Sequence, residues 1–268
     1  MPSDNKRNID TVRHYWQTHT LGKQFVFDQE LEVGSKEFFD HIRPWMTPYR
    51  FKEIRDRIER EAPKLKGRRL LEIECGMGFD SIEFLKRGVH VVSTDLTPAA
   101  VELAKRNIEL NNMKAEDVRV ENVLSLSFED NSFDAVWACG VLHHTGDTPK
   151  AIKEIRRVLK PGGRAVISHF YRKPSWMYYL SRFGRENIEF KDEDAPITDF
   201  FTEKEIFSMF EGFKIEEAVQ EHYRVLPTAR KGYKANIYTW IFLPLYNLLP
   251  ESLAKHFAYK FSVTAIKI

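Results

Sequence analysis

Cysteine is scarce in this chain of 268 residues: only Cys75 and Cys139 occur. They form no CxxC pair and no Cys/His ligand spacing, which argues against a zinc site or a disulfide framework, and no metal is expected. A reducing, cytoplasmic setting fits. An excess of one charge sign is also missing, because 41 Lys and Arg stand against 39 Asp and Glu, a net charge of +2. Nothing in that balance demands nucleic acid as a partner. The opening MPSDNKRNID lacks the apolar core of a signal peptide, so secretion is not expected. Long hydrophobic runs are absent too. The most apolar stretch, Ile237 to Leu249, is broken by Thr239, Pro244 and Asn247 and falls short of the roughly 20 residues of a membrane span, so no stable insertion is expected. Peripheral contact of that stretch with a membrane surface is the alternative, although it lacks a clear basic face.

What is present is alternation of β-branched runs with helical patterns, the mark of a parallel sheet wrapped by crossover helices. Strands are expected at Arg69 to Ile73, Val89 to Asp95, Val118 to Val123, Phe133 to Ala138 and Arg164 to Phe170. Helices are expected at Phe79 to Arg87, stopped by Gly88, and from Pro98 to about Asn111, capped by Thr97. Another spans Thr148 to Leu159, ended by Pro161-Gly162-Gly163. Thr202 to Glu205 reads as a capping box opening a short helix. Phe213 to His222 and Phe261 to Lys267 would complete a sheet of seven strands.

One domain over 1–268 is the reading that follows, with a cofactor-binding core at 68–170. Residues 1–50 form an N-terminal helical cap, and an insertion precedes the last strand. Residues 171–200 and 224–258 are candidate substrate covers. Aromatics concentrate there, among them Tyr15, Trp16, Phe38, Phe39, Trp45, Tyr238, Trp240, Phe242 and Tyr246, and ordinary core packing is the favoured role for most of them.

The segment LLEIECGMGFD, residues 70 to 80, runs from a strand through a glycine turn into a helix. In open parallel sheets that junction binds ligands, because glycine admits a close approach to the backbone and the helix N-terminus. Asp95 ends the next strand, about 20 residues on, where an acid can accept both hydroxyls of a ribose. Strand, turn, helix and distal acid together point to an adenosine-containing cofactor.

Here the chain resembles the class I S-adenosylmethionine-dependent methyltransferases over most of residues 68 to 170. LLEIECGMGFDS is similar to that family's first motif, an acid followed by a GxGxG turn, and STDLTPAAVELAK to its ribose-binding strand end and helix. FEDNSFDAVWACGVLHHTGDTPKAIKEIRRVLKPGGRAVIS is similar to the fourth strand, the loop beside the transferred methyl, and the helix and strand beyond. The resemblance implies a Rossmann-like α/β fold, S-adenosylmethionine as cofactor, and methyl transfer to a small molecule. It puts Glu72, Gly76 and Gly78 at the methionine end, Asp95 and the adjoining Leu96 at the ribose, Asn122 and Val123 at the adenine edge, and Val141 and His143 near the methyl.

Glu74 departs from the pattern by replacing the first glycine of the turn. Three readings are open: it collides with or repels the cofactor's methionine portion, it pairs with the ammonium or sulfonium, or it turns out to water. Asn122 stands where an aspartate is usual, and its amide oxygen can still accept from an adenine amino group. A nicotinamide dinucleotide is disfavoured, since Ser81 takes the place of the third glycine or alanine of that fingerprint.

Transfer from a sulfonium needs chiefly alignment, with a base useful for some acceptors. His143 or His144 is the candidate base; a hydrogen bond that shapes the pocket is the favoured role of His143, and His144 is a candidate substrate contact for which a turn or surface position is the favoured reading. His169 and Tyr171, at the end of the fifth strand, fall on the ligand-binding edge. Tyr15, Trp16, Tyr171, Trp176, Tyr178 and Tyr179 make a candidate aromatic wall for an organic acceptor. Two other classes stand beside this one: an S-adenosylmethionine-binding enzyme that Glu74 diverts from methyl transfer, and a non-catalytic binding protein.

Overall fold

Leu70, Leu71, Glu72 and Ile73 of strand β1 (Arg69–Ile73) are all buried, and their side chains alternate between two helical layers. Leu71 and Ile73 join a core with Val136, Ala138, Ile152, Ile155 and Phe210. Leu70 packs with Ile54, Ile58, Phe84 and Trp137 on the other face. A strand that must satisfy both layers has to be apolar where it is buried, and the buried part of β1 is so except at Glu72. The computed structural model describes residues 9–18, 31–175, 178, 196–221, 237, 240–241 and 243–268.

The remaining strands are β2 (His90–Asp95), β3 (Asp117–Val120), β4 (Phe133–Cys139), β5 (Leu159–Tyr171), β6 (Phe213–Glu221) and β7 (Lys260–Lys267). They form one sheet in the order β3-β2-β1-β4-β5-β7-β6. Six strands run in one direction, and β7 is antiparallel to both of its neighbours, β5 and β6. The chain winds outward from β1 to β3, then returns to the other side of β1 at β4. That reversal opens a crevice above the carboxyl ends of β1, β2 and β4, where sheets of this type take ligands.

Helices α1 (Ile9–Thr18), α2 (Lys36–Ile42), α3 (Thr47–Arg50) and α4 (Lys52–Glu61) precede the sheet. Helices α5 (Phe79–Leu85), α6 (Pro98–Leu110) and α7 (Thr148–Val158) make the crossovers, and α8 (Glu203–Met209) leads into β6. The short α9 (Leu243–Asn247) and α10 (Glu251–His256) lie between β6 and β7, where the sequence implied an insertion. Two starts have a clear local cause. Thr97 caps α6 by accepting from Ala100 N–H at 3.3 Å, with Pro98 in the first turn. Thr202 and Glu205 close the expected capping box on α8. A cap of this kind contributes about 1 kcal/mol.

Two boundaries differ from expectation by three residues or more. The third strand stops at Val120 rather than Val123, because the Asn122 side chain accepts from Leu124 N–H at 2.9 Å and Ser125 N–H bonds to Asn122 O, turning the chain. The fifth strand starts at Leu159, not Arg164. Pro161-Gly162-Gly163 lie inside it, where the pairing with β4 shifts register between Phe133 and Ala135. No helix among the described residues is long and apolar enough to cross a membrane, though Trp240, Leu245 and Leu248 of the insertion are exposed.

Candidate functional site

Beyond Ile73 the backbone turns through three left-handed residues, Glu74 (φ 54°), Gly76 (φ 54°) and Gly78 (φ 72°). Cys75 N–H bonds to Thr94 O at 2.8 Å and Gly76 N–H to the Asp95 carboxylate at 3.0 Å, so the turn is tied to the end of β2. The two glycines serve different ends. A Cβ on Gly78 would come within 3.3 Å of Ala104 Cβ, so this residue lets α5 and α6 pack closely. A Cβ on Gly76 would meet nothing within 4 Å, because Gly76 faces a cavity.

That cavity encloses about 970 Å³ counted out to its open mouth. Glu74, Gly76 and Met77 of the turn line it, with Asp95 to Thr97 at the end of β2 and Asn122 and Val123 after β3. Gly140, Val141, His144 and Thr145 come from the loop after β4. Ile9, Val12 and Trp16 of α1 add an apolar wall.

Asp95 is buried and well served by donors. Beyond Gly76, it accepts from Thr97 N–H at 2.9 Å and Thr97 Oγ1 at 3.0 Å. Burial raises its pKa, and those bonds oppose the shift. Glu74 is half-buried with its side chain turned into the cavity, so the reading in which it points out to water is corrected. Its carboxylate accepts from Leu96 N–H at 3.2 Å. Removal from bulk water, then the charge of Asp95, push its pKa well above the usual carboxylate range.

Glu72 does not line the cavity. It is buried behind the turn, where Ser81 of α5 donates to it and Ser81 and Ser93 hydroxyls share a further bond at 2.8 Å. Burial and the neighbouring Asp80 raise its pKa well above normal. Asp80 accepts from Trp137 Nε1 at 2.8 Å, and burial lifts it to about 6.

In the loop after β4, Val141 and His144 reach the cavity and His143 does not. His143 is buried, stacked on Tyr171 with ring centroids 3.9 Å apart, and its Nε2 has no hydrogen-bond partner among the described residues. Burial, then the charges of His144 and Lys260, hold its pKa well below the ordinary value, so the ring is neutral at pH 7. His144, read from sequence as a turn or surface residue, is in a one-turn helix but half-buried against the cavity. Its Nδ1 lies 2.7 Å from Ile197 O and its ring 5.6 Å from Trp16.

The other candidates are scattered. Tyr15 is buried against Trp16 outside the cavity lining. His169 occupies a separate polar cluster: it has φ 65°, its N–H bonds to Ser262 Oγ at 3.1 Å, and its Nδ1 lies 3.2 Å from Lys260 Nζ. There Arg57 donates to Glu221 at 2.6 Å and to Ser168 at 2.9 Å. Trp176 and Tyr179 lie outside the described residues.

The sequence reading did not single out Ile9, Val12, Met77, Thr97, Ala100, Gly140 or Thr145 as cavity walls. The first two share with Trp16 an i, i+3, i+7 stripe that marks one helix face, a usable signal. Lys260 beside His169 carried none. Among the described residues no group of three or more His, Cys, Asp or Glu could hold a metal.

Residues 71–167 match the family model described as "Methyltransferase domain". A demethylmenaquinone methyltransferase of Clavibacter sepedonicus is 36% identical over 119 residues, covering 43% of this chain and 46% of the relative. A ubiquinone biosynthesis O-methyltransferase of Xanthomonas oryzae pv. oryzae is 33% identical over 144 residues, covering 53% and 57%. The chain thus spans about half the length of these curated relatives. Among solved structures, magnesium protoporphyrin IX methyltransferase from Synechocystis PCC 6803, with bound SAH, shares the fold at a TM-score of 0.62 and 15% identity, covering 97% of this chain and all of the neighbour.

Proposed function

We propose, from the match of residues 71–167 to the methyltransferase-domain model, that this chain is a class I S-adenosylmethionine-dependent methyltransferase that transfers a methyl group from S-adenosylmethionine to a small organic molecule by direct in-line displacement. The observation that carries the proposal is the clasp between Asp95 and Gly76 on the wall of an otherwise largely apolar cavity. Asp95 takes ribose hydroxyls with the acceptor capacity its three protein donors leave. Asn122 Oδ1, already holding Leu124 N–H, has a second lone pair for an adenine amino group, with Val123 beside it. Gly76 offers the open space a ligand needs, and Leu96 and Val141 complete the walls. The donor set suits the cofactor, which supplies an already activated methyl on sulfur.

Glu72 and Gly78 have supporting tasks in this scheme. Glu72 holds the start of α5 through Ser81, and Gly78 sets the α5–α6 spacing. The apolar face of α1 and the ring of Trp16 keep water from the acceptor, while His144 and Val141 orient it. His143 acts from behind that wall. Its stacking on Tyr171 fixes the loop that carries His144. The relatives named for quinone biosynthesis support an aromatic acceptor. The two free cysteines support a cytoplasmic location.

Calorimetric titration with S-adenosylmethionine, S-adenosylhomocysteine and NAD tests the cofactor. Micromolar binding of the first two, about −8 kcal/mol, with no binding of NAD, is the expected result. Incubation with a panel of phenols and quinols should then yield S-adenosylhomocysteine in step with methylated acceptor. Cofactor binding without that product across the panel would overturn methyl transfer.

A further inference from the structure

We infer that Glu74 is the charge-selecting group of the cavity, a carboxylate that favours positively charged S-adenosylmethionine over S-adenosylhomocysteine, whose sulfur is neutral. The inference rests on the cofactor reading above. Its starting point is backbone: φ 54° is a conformation in which a side chain is strained and glycine is at ease. Non-glycine residues held there cluster at functional sites, which makes the departure informative.

The second observation is where the carboxylate goes. It enters the cavity and takes Leu96 N–H, its single hydrogen-bond donor among the described residues, whereas Asp95 beside it has three. An acid with one donor retains acceptor capacity toward the cavity. The third is what surrounds it. Among the described residues no lysine or arginine lines the cavity, and the groups facing Glu74 are acidic or neutral. Asp95 stands at the end of β2, Cys75 follows on the turn with its thiol kept protonated by burial, and Glu72 lies behind on β1. Among the described residues His144 is the single basic side chain on the cavity wall. A site with two carboxylates and no fixed cation is completed by a cation from outside.

The two forms of the cofactor differ by a methyl group and the positive charge it creates on sulfur. Burial and the charge of Asp95 raise the pKa of Glu74, and a sulfonium beside it favours the ionised form. Binding of the sulfonium therefore shifts the carboxyl toward its ionised form, with release of protons to solvent. Once the methyl has left, the ligand's sulfur no longer balances Glu74, and product departs more readily.

Calorimetry in two buffers of different ionisation enthalpy, near pH 7, reads both affinity and proton release. The proteins compared are the native chain, Glu74→Gln, which keeps the shape, and Glu74→Gly, which suits the backbone. The native protein should bind S-adenosylmethionine about tenfold more tightly than S-adenosylhomocysteine, with protons released only for the former. Both substitutions should abolish the preference and the release. Equal preference in all three proteins, or tighter binding of both ligands by Glu74→Gly, would overturn selectivity while leaving the cofactor in place. Failure of all three to bind either ligand would overturn the cofactor reading itself.

Discussion

On the β5-β7-β6 side of the sheet, buried Glu221 meets the Arg57 guanidinium at 2.6 Å and the Ser262 hydroxyl, with Lys260 and His169 alongside. On the β1-β2 side, Glu72, Asp80 and Asp95 are buried and Glu74 is half-buried, yet among the described residues none of them pairs with a lysine or arginine. Both regions sit at the same edge of the sheet and both take acids out of water. One neutralises its charge within the fold. The other uses serine, tryptophan and backbone donors and leaves the charge open, which is what a cation-binding cavity requires.

The sharpest way to break this contrast is to remove the internal cation. Arg57→Met should lower stability by about 3–5 kcal/mol, since it strands Glu221 in the interior. Adding Glu221→Gln should recover much of the loss; urea denaturation reads both. If the single variant costs under about 1 kcal/mol, Glu221 is not relying on Arg57.

The acidic side should show itself in pH dependence. Asp80 has its pKa raised from 3.8 to about 6 in the folded protein. Between those values the unfolded chain ionises first, so this carboxyl makes stability fall as pH rises from about 4 to about 6, by roughly 2–3 kcal/mol. Below that window it is protonated in both states and carries no penalty. Asp80→Asn keeps an acceptor for Trp137 and should remove the fall. Denaturation midpoints at pH 4 and pH 7 decide it: the gap between native and variant proteins should be absent at pH 4 and present at pH 7.

Glu74→Gly gives the smallest effect and separates function from stability. Relief of the left-handed backbone should raise stability by about 1 kcal/mol, offset in part by loss of the bond to Leu96. A thermal midpoint that rises while cofactor preference vanishes would mark Glu74 as kept for binding. A midpoint that falls would mean its contact with Leu96 is structural.

Much of this was legible in the chain. β1, β2, α5 and α6 announced themselves through period and caps, because Gly88, Thr97 and Pro98 act within a few residues of themselves. The same holds for Asp95 and Gly76, whose spacing fits a strand-turn-helix unit. Pro161-Gly162-Gly163 misled, since a local breaker signal cannot show that a neighbouring strand absorbs the irregularity as a register shift. Glu74 stood out as an oddity, but its direction depended on Leu96, 22 residues away, and on Asp95. His143 and His144 are adjacent in sequence, and a single turn sends one to the cavity and the other against Tyr171. Contacts of that range have no periodic trace.

The order of the sheet also bears on how the chain comes together during synthesis. β7 lies between β5 and β6, so both older strands present an unpaired edge until residues 260–267 have been made. The nascent chain can settle β1 to β5 early, but β6 has no place to dock before its partner emerges. The arrival of β7 joins the Arg57-Glu221 cluster to Lys260 and Ser262, so a strand made after both of its neighbours locks that side of the molecule.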